Sequence, residues 1–297
     1  MKTGFVAVMG RPNAGKSTLV NALLSKTVSI VSPRAQTTRD SIMGILNEKG
    51  MQIVFIDTPG LFVPKEALGK AMVHSARESA KGVDAIVYLI DGSAASAEED
   101  EGIIDSLGVL CPLFICVNKI DLITAPEGEA LLERFKARFP KAVVMPMSAL
   151  TNFGLKEVKD GLGAVLKDGP QYFPSDALTD KDKAFQAKEA VRFELLRFLD
   201  EEVPHQCAVV VNDFKEKNGH LKIEATVFCE KKSQVGIVVG KGGAMIKKIS
   251  MSARHRLEAQ FHEHVTLLLE ARFLEGWRDN PDKLAQFGYG NGDGDAD

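Results

Sequence analysis

The chain has 297 residues, 45% of them hydrophobic and 26% charged, with a formal net charge of −3. That length accommodates two domains, each with a core of its own, at about 100–200 residues per domain. The near-neutral charge gives no sign of a polyanion partner at the level of the whole chain, so any basic patch must be local.

The N-terminus runs from Met1-Lys2-Thr3-Gly4 into an apolar strand-like stretch over residues 5–9, too short for a secretory h-region. The apolar run at 109–117 falls well short of the roughly 20 residues that span a bilayer. Cys111, Cys116, Cys207 and Cys229 lack CxxC spacing and read as small buried thiols of a reducing compartment. A cytoplasmic location is expected.

The strand at 5–9 leads directly into Gly10-Arg11-Pro12-Asn13-Ala14-Gly15-Lys16-Ser17, a match to GxxxxGK[ST], and a helical run begins at Thr18. Glycines let the backbone curl until its N–H groups face phosphate oxygens, and the helix N-terminus adds positive potential. Lys16 is placed to reach the β- and γ-phosphates, and Ser17 to ligate magnesium. Gln36-Thr37-Thr38-Arg39-Asp40 lies where a first switch segment belongs. A strand at 51–56 then ends in Asp57-Thr58-Pro59-Gly60, whose aspartate would hold magnesium, mostly through water, and whose Gly60 N–H can touch the γ-phosphate.

Leu61 follows, at the position where Ras-like GTPases carry a water-orienting glutamine. A leucine can neither orient nor deprotonate water, and Arg34 and Arg39 are unsupported as arginine fingers, so slow intrinsic turnover is expected. Asp91-Gly92, after a strand at 85–90, reads as a turn. Asn118-Lys119-Ile120-Asp121 ends a strand at 113–117; a carboxylate there accepts two hydrogen bonds from guanine and is left unpaired by adenine. Ser148-Ala149, after a strand at 142–147, can offer a backbone N–H to guanine O6. Strands alternating with helices predict a mostly parallel, doubly wound α/β sheet with its ligand at the carboxyl ends of the strands. This half, residues 1–168, resembles a translation-factor-type P-loop GTPase.

Asp168-Gly169-Pro170 and Phe173-Pro174-Ser175-Asp176 mark a linker over 169–182. The second domain, 183–287, starts with apolar residues at helical spacing (Ala190, Phe193, Leu196, Leu199). Two strands at 207–214 and 221–228 follow, joined through Asn218-Gly219, a hairpin signal. A short helix at 234–239 leads into Gly240-Lys241-Gly242-Gly243, then a helix at 244–260 and a strand at 265–273. Small residues in that GxxG turn let a nucleic-acid backbone approach, and Ile237, Val238 and Ile246 would form an apolar floor for bases. Between Lys231 and Arg256 lie seven basic residues (Lys231, Lys232, Lys241, Lys247, Lys248, Arg254, Arg256) and no acidic one, a local footprint for phosphate. His255, His262 and His264 have no metal-site spacing, Trp277 reads as an anchor for the last helix, and the Gly- and Asp-rich tail at 288–297 as disordered.

The element order and GxxG turn resemble a type-II KH domain, a smaller α+β fold. A P-loop GTPase joined to one such domain resembles the Era family of bacterial ribosome-assembly GTPases. The resemblance implies binding to the 3′ end of small-subunit ribosomal RNA and the small ribosomal subunit, controlled by GTP or GDP, in a monomer with magnesium as cofactor. It favours Thr38 over Thr37 as the switch ligand to magnesium and the γ-phosphate, and gives Asn13 a role in holding a potassium ion against the phosphates. Lys16, Asn13, Thr38 and Gly60 are the expected catalytic set. The sequence carries nothing that speaks for or against peripheral membrane contact. Two other readings stand beside this one: a KH RNA-binding protein with a structural nucleotide domain, and a tRNA-modification-type GTPase.

Overall fold

The computed structural model describes residues 1–34, 36–94 and 96–289. The chain divides into two compact units, one comprising Met1–Pro64 and Met72–Asp180, the other Lys65–Ala71 and the chain from Lys181 onward.

Among the described residues of the first unit, seven strands form one sheet. They are β1 (Lys2–Gly10), β2 (Ile42–Glu48), β3 (Met51–Asp57), β4 (Ala85–Asp91), β5 (Leu113–Asn118), β6 (Val143–Pro146) and the short β7 (Lys167–Asp168). The order is β2-β3-β1-β4-β5-β6, with β7 antiparallel to β1. β1, β3, β4, β5 and β6 run parallel, as strand–helix alternation requires. Between them in the chain come α1 (Lys16–Leu24), α2 (Ala67–Glu78, of which Met72 onward belongs to this unit), α3 (Ala97–Ser106), α4 (Ala125–Arg138) and α5 (Leu155–Val165).

Alternation along β1 explains why both sheet faces are dry. Val6 and Val8 point into a core with Leu19 and Leu23 of α1 and Val158 and Leu162 of α5. Ala7 and Met9 point the other way, into a core with Ile104 of α3 and Phe135 of α4. The sheet is thus wound on both sides, and its strand ends gather the loops of the candidate site.

β2 carries no clear strand signal in the sequence. It pairs antiparallel with β3 at the sheet edge, and its Gly44 and Asn47 blunt the apolar pattern of a buried strand. Its outer side is closed by chain from the expected linker: Ile45 N–H donates to Leu178 O at 2.9 Å, and Gly44 bridges Thr179. Gln52, fully buried, accepts from the N–H groups of Tyr172 and Phe173 at 2.8 and 3.1 Å and donates to Phe173 O at 2.8 Å. Residues 171–180 therefore lie strapped to the sheet, where proline and glycine suggested a loose connection.

The second unit contains α6 (Lys183–Phe198), β8 (Cys207–Lys217), β9 (His220–Cys229), α7 (Lys232–Val239), α8 (Ala244–Phe261), β10 (His264–Phe273) and α9 (Pro281–Gln286). Its sheet order is β10-β9-β8, with β10 parallel and β8 antiparallel to β9. Asn218 and Gly219 both have positive φ, 52° and 72°, as a two-residue hairpin turn of the favoured hand demands. Ile249, Ala253 and Leu257, four residues apart on α8, meet Val191 and Leu195 of α6 over Val209, Ile223 and Val227.

α6 ends at Phe198, so Leu199, the last residue of the expected helical spacing, falls outside it and is already extended on the way to Pro204. Three cysteines are buried, and Cys111 is half-exposed. Trp277 is fully buried, donates from Nε1 to Gln206 O at 3.2 Å and packs on Phe287 and Tyr289. Tyr289 is itself buried, so the fold extends past the expected tail boundary at 288; residues 290–297 lie outside those described.

Candidate functional site

The loops after β1, β3, β5 and β6 converge on one cleft of about 460 Å³. Pro12, Asn13, Gly15, Lys16, Ser17 and Thr18 line it at the phosphate end, with Thr37, Thr38, Thr58 and Gly60 beside them. Asn118, Lys119, Asp121, Ser148 and Ala149 line the other end. Gly10, Arg11, Ala14, Asp57 and Pro59 do not line it.

Gly15, at φ 99°, lies so close to Asn118 that a Cβ would sit 2.3 Å from its Nδ2. That approach lets Asn118 tie two loops together: its Nδ2 donates to Ala14 O at 2.7 Å, and its Oδ1 accepts from Ala149 N–H at 2.9 Å. Gly60 fits as closely, since a Cβ there would meet Pro12 N at 2.7 Å. Thr58 Oγ1 donates to Val8 O, fixing the start of the Asp57 loop against β1. Arg11 reaches outward to Glu99 on α3 at 2.8 Å.

Lys16 is buried and donates to Gly10 O and Arg11 O at 3.0 and 2.8 Å. Burial pushes its pKa down to about 8, against the opposing pull of Asp57 and Asp100. Asp57 is fully buried, and both carboxylate oxygens lack a hydrogen-bond partner. Its pKa is raised by burial; Ser17, Ser29 and Lys16 ease the charge, although neither serine hydroxyl completes a hydrogen bond to it. A fully buried carboxylate with both oxygens unpartnered is suited to accept a cation. Ser17 Oγ and Thr38 Oγ1 lie 2.9 Å apart, while Thr37 Oγ1 turns away to Arg34 O at 2.7 Å. Hydroxyl and carboxylate oxygens of this kind fit a hard divalent ion.

Leu61 points away from the cleft. It is buried with Ala7, Met9 and Ile90, and its N–H donates to Gly10 O at 3.1 Å. Arg34 and Arg39 do not line the cleft either, and Arg39 is buried. Asn13, at φ 63°, donates from Nδ2 to Pro33 O at 3.2 Å, joining the phosphate loop to the chain just ahead of the switch segment. Leu122 and Leu150, 63% and 78% exposed, flank the base end; exposed leucines beside Asp121 and Ala149 were the available sequence signal for this apolar rim.

Two family models match the chain: a 50S ribosome-binding GTPase model over residues 5–119, and a KH domain model over 202–278. The GTPase Era of Caldanaerobacter subterraneus is 40% identical over 291 residues, covering 97% of this chain and 98% of that protein. The chain belongs to the Era family of GTPases. The Geobacter GTPase Era is 43% identical over 294 residues, covering 97% of this chain and 98% of its own. A variant of Aquifex aeolicus Era bound to GDP·AlF4⁻ superposes with a TM-score of 0.94 at 34% identity, covering 98% of this chain and all of the other. Era in complex with MgGDPNP and nucleotides 1506–1542 of 16S ribosomal RNA gives the same score, identity and coverage. As a family member the chain is a GTPase, a P-loop α/β unit followed by a type-II KH unit.

In the KH unit, Gly240, Gly242 and Gly243 all have positive φ, at 73°, 60° and 78°. The turn they make lifts Lys241 and Gly242 into solvent between α7 and α8. Ile237 is 48% exposed beside it and Ile246 half-buried. Val238 departs from expectation: it is fully buried in the unit's core, because one residue further along α7 turns the side chain inward. The basic stretch is also divided. Arg256 stacks on Phe193 at 3.8 Å and pairs with Glu194, so it serves packing against α6, while Lys248 stays exposed with its Nζ 4.1 Å over the Phe198 ring. Lys241 and Lys247 remain exposed next to the glycine turn. Among the described residues, no helix is long and apolar enough to cross a membrane.

Proposed function

We propose that this GTPase binds small-subunit ribosomal RNA near its 3′ end through the Gly240–Gly243 turn, under the control of bound nucleotide, and assists maturation of the small subunit. One observation carries the reading. An exposed glycine turn bearing Lys241 stands in a chain that shares both modules, end to end, with an Era solved on nucleotides 1506–1542 of 16S RNA. Ile237 and Ile246 offer the apolar surface for bases, and Lys241 and Lys247 the charge for phosphate, with Lys248 partly engaged by Phe198.

In the GTPase unit, the 10–17 loop cradles the phosphates through its N–H groups and Lys16 meets the β- and γ-oxygens. Ser17, Asp57 and Thr38 would hold magnesium, which supplies positive charge against the phosphate oxygens. Asp121 selects guanine through two hydrogen bonds, and the Ala149 N–H, which donates to Asn118 Oδ1 at 2.9 Å, is shared with guanine O6 when the base binds. With Leu61 in the core, water is positioned by backbone and switch groups, Gly60 and Thr38 among them. Asn13 places an amide at the mouth of the loop, suited to holding potassium; turnover equal in potassium and sodium would remove that role.

The test is UV crosslinking in cells with sequencing of the attached RNA, against a Lys241→Asp, Gly242→Asp chain. Reads concentrated at the 3′ end of small-subunit RNA and lost in the variant are expected. Reads scattered over many RNAs, or unchanged in the variant, contradict the proposal.

A further inference from the structure

The turn at Asp91-Gly92 reads from sequence as a simple strand ending, yet its contacts converge on the guanine loop. β4 and β5 are neighbours, and Asp91 stands directly opposite Asn118. Gly92 N–H donates to Asn118 O at 2.9 Å, and a Cβ on Gly92 would meet that same oxygen at 2.9 Å. The turn therefore grips the residue that ties Ala14 to Ala149.

The next residue is held more tightly. Lys119 Nζ donates to Asp91 Oδ2 at 2.6 Å. The carboxylate is itself oriented: Asp91 Oδ1 accepts from Ser93 N–H at 3.0 Å and Ser93 Oγ at 2.6 Å. The pair is sheltered, with Lys119 29% and Asp91 18% exposed. Burial alone would raise the Asp91 pKa, but the Lys119 ammonium and the Ser93 bonds outweigh it and leave the carboxyl below its usual range. Lys119 also holds a left-handed backbone, φ 61°, unfavourable for a lysine, which aims its side chain along the cleft wall.

We propose that Asp91 is a positioning residue for guanine nucleotide binding: it fixes the Lys119 side chain along the base end of the cleft. Asp91 does not line the cleft, so it acts through Lys119. A lysine stem has four rotatable bonds, and ordering it when nucleotide arrives costs conformational entropy. An ion pair formed in the fold meets that cost beforehand, so the nucleotide encounters a finished wall. An ordinary strand staple would instead stabilise the folded chain and leave nucleotide kinetics alone.

This inference rests on the nucleotide-site reading above, and one variant tests that reading separately. Lys119→Met in the full chain should release a fluorescent GDP faster than wild type; an unchanged rate removes the site reading itself. Asp91→Asn should speed release and raise the KM for GTP by about tenfold, within the range of directly contacting pairs. Its kcat should stay within about twofold, the signature of binding lost equally from ground and transition states. Asp91→Glu should recover part of the loss, and Asp91→Ser replaces Asp91→Asn should the latter not fold. In a Lys119→Met background, Asp91→Asn should add nothing further. Wild-type release from Asp91→Asn, with or without a lowered melting temperature, would overturn the proposal, as would full additivity of the two substitutions.

Discussion

At the scale of single residues, the site depends on groups kept from water at a cost. Lys16 shows the sign of that cost. Below about 8 its ammonium is charged in both folded and unfolded chains, and the burial penalty, about 3 kcal/mol, is fully present. Between about 8 and 10.5 the unfolded chain holds a proton that the folded chain has released, so the penalty shrinks as pH rises. The melting temperature of nucleotide-free Lys16→Met minus that of wild type should therefore fall across this window; a constant difference contradicts the burial. Leu61 gives a second residue-scale prediction. Leu61→Gln does not create a Ras-like water ligand, because the side chain points into the core with Met9 and Ile90. It should leave turnover no faster and lower stability by about 1–3 kcal/mol, the cost of an unpaired buried amide. Faster hydrolysis at unchanged stability would mean that the 61 side chain reaches the cleft.

At the scale of elements, the sequence revealed the parts that follow strong local rules. Apolar strands ending in Gly10, Asp57, Asn118 and Ser148 declared the sheet and its site, since strand ends and phosphate loops need particular residues at fixed places. β2 was illegible because an edge strand with Gly44 and Asn47 lacks the buried pattern. The strap at 171–180 was illegible for another reason: what holds it is Gln52, over a hundred residues earlier, and no local pattern reports a distant hydrogen bond. Val238 failed by one residue of helical phase. Gln52→Leu should therefore cost about 2–4 kcal/mol, since it leaves the Tyr172 and Phe173 N–H groups unpaired, and should open 171–180 to proteolysis. Wild-type protease resistance would contradict the strap. The glycine turn gives the matching prediction for RNA. Lys241→Ala should weaken binding evenly across sequences and reduce the slope of log affinity against log salt by about one. A sequence-dependent loss would instead make Lys241 a base-reading residue.

At the scale of the whole molecule, two compact units carry two chemistries, and the net charge of −3 conceals the division of basic residues between packing and solvent. A GTPase switch earns that description only when nucleotide changes affinity elsewhere, and linkage makes the change reciprocal. Thr38 and Gly60 both face the cleft, and in the proposed switch they are the groups that the γ-phosphate would order. The most direct test is the affinity of the full chain for an RNA copy of the small-subunit 3′ end, measured with GDPNP and with GDP. Tighter binding with GDPNP by a factor of about 5–150 is expected, lost when Lys16 is replaced by alanine. Equal affinity in the two nucleotide states would contradict it, leaving two activities on one chain without a switch between them.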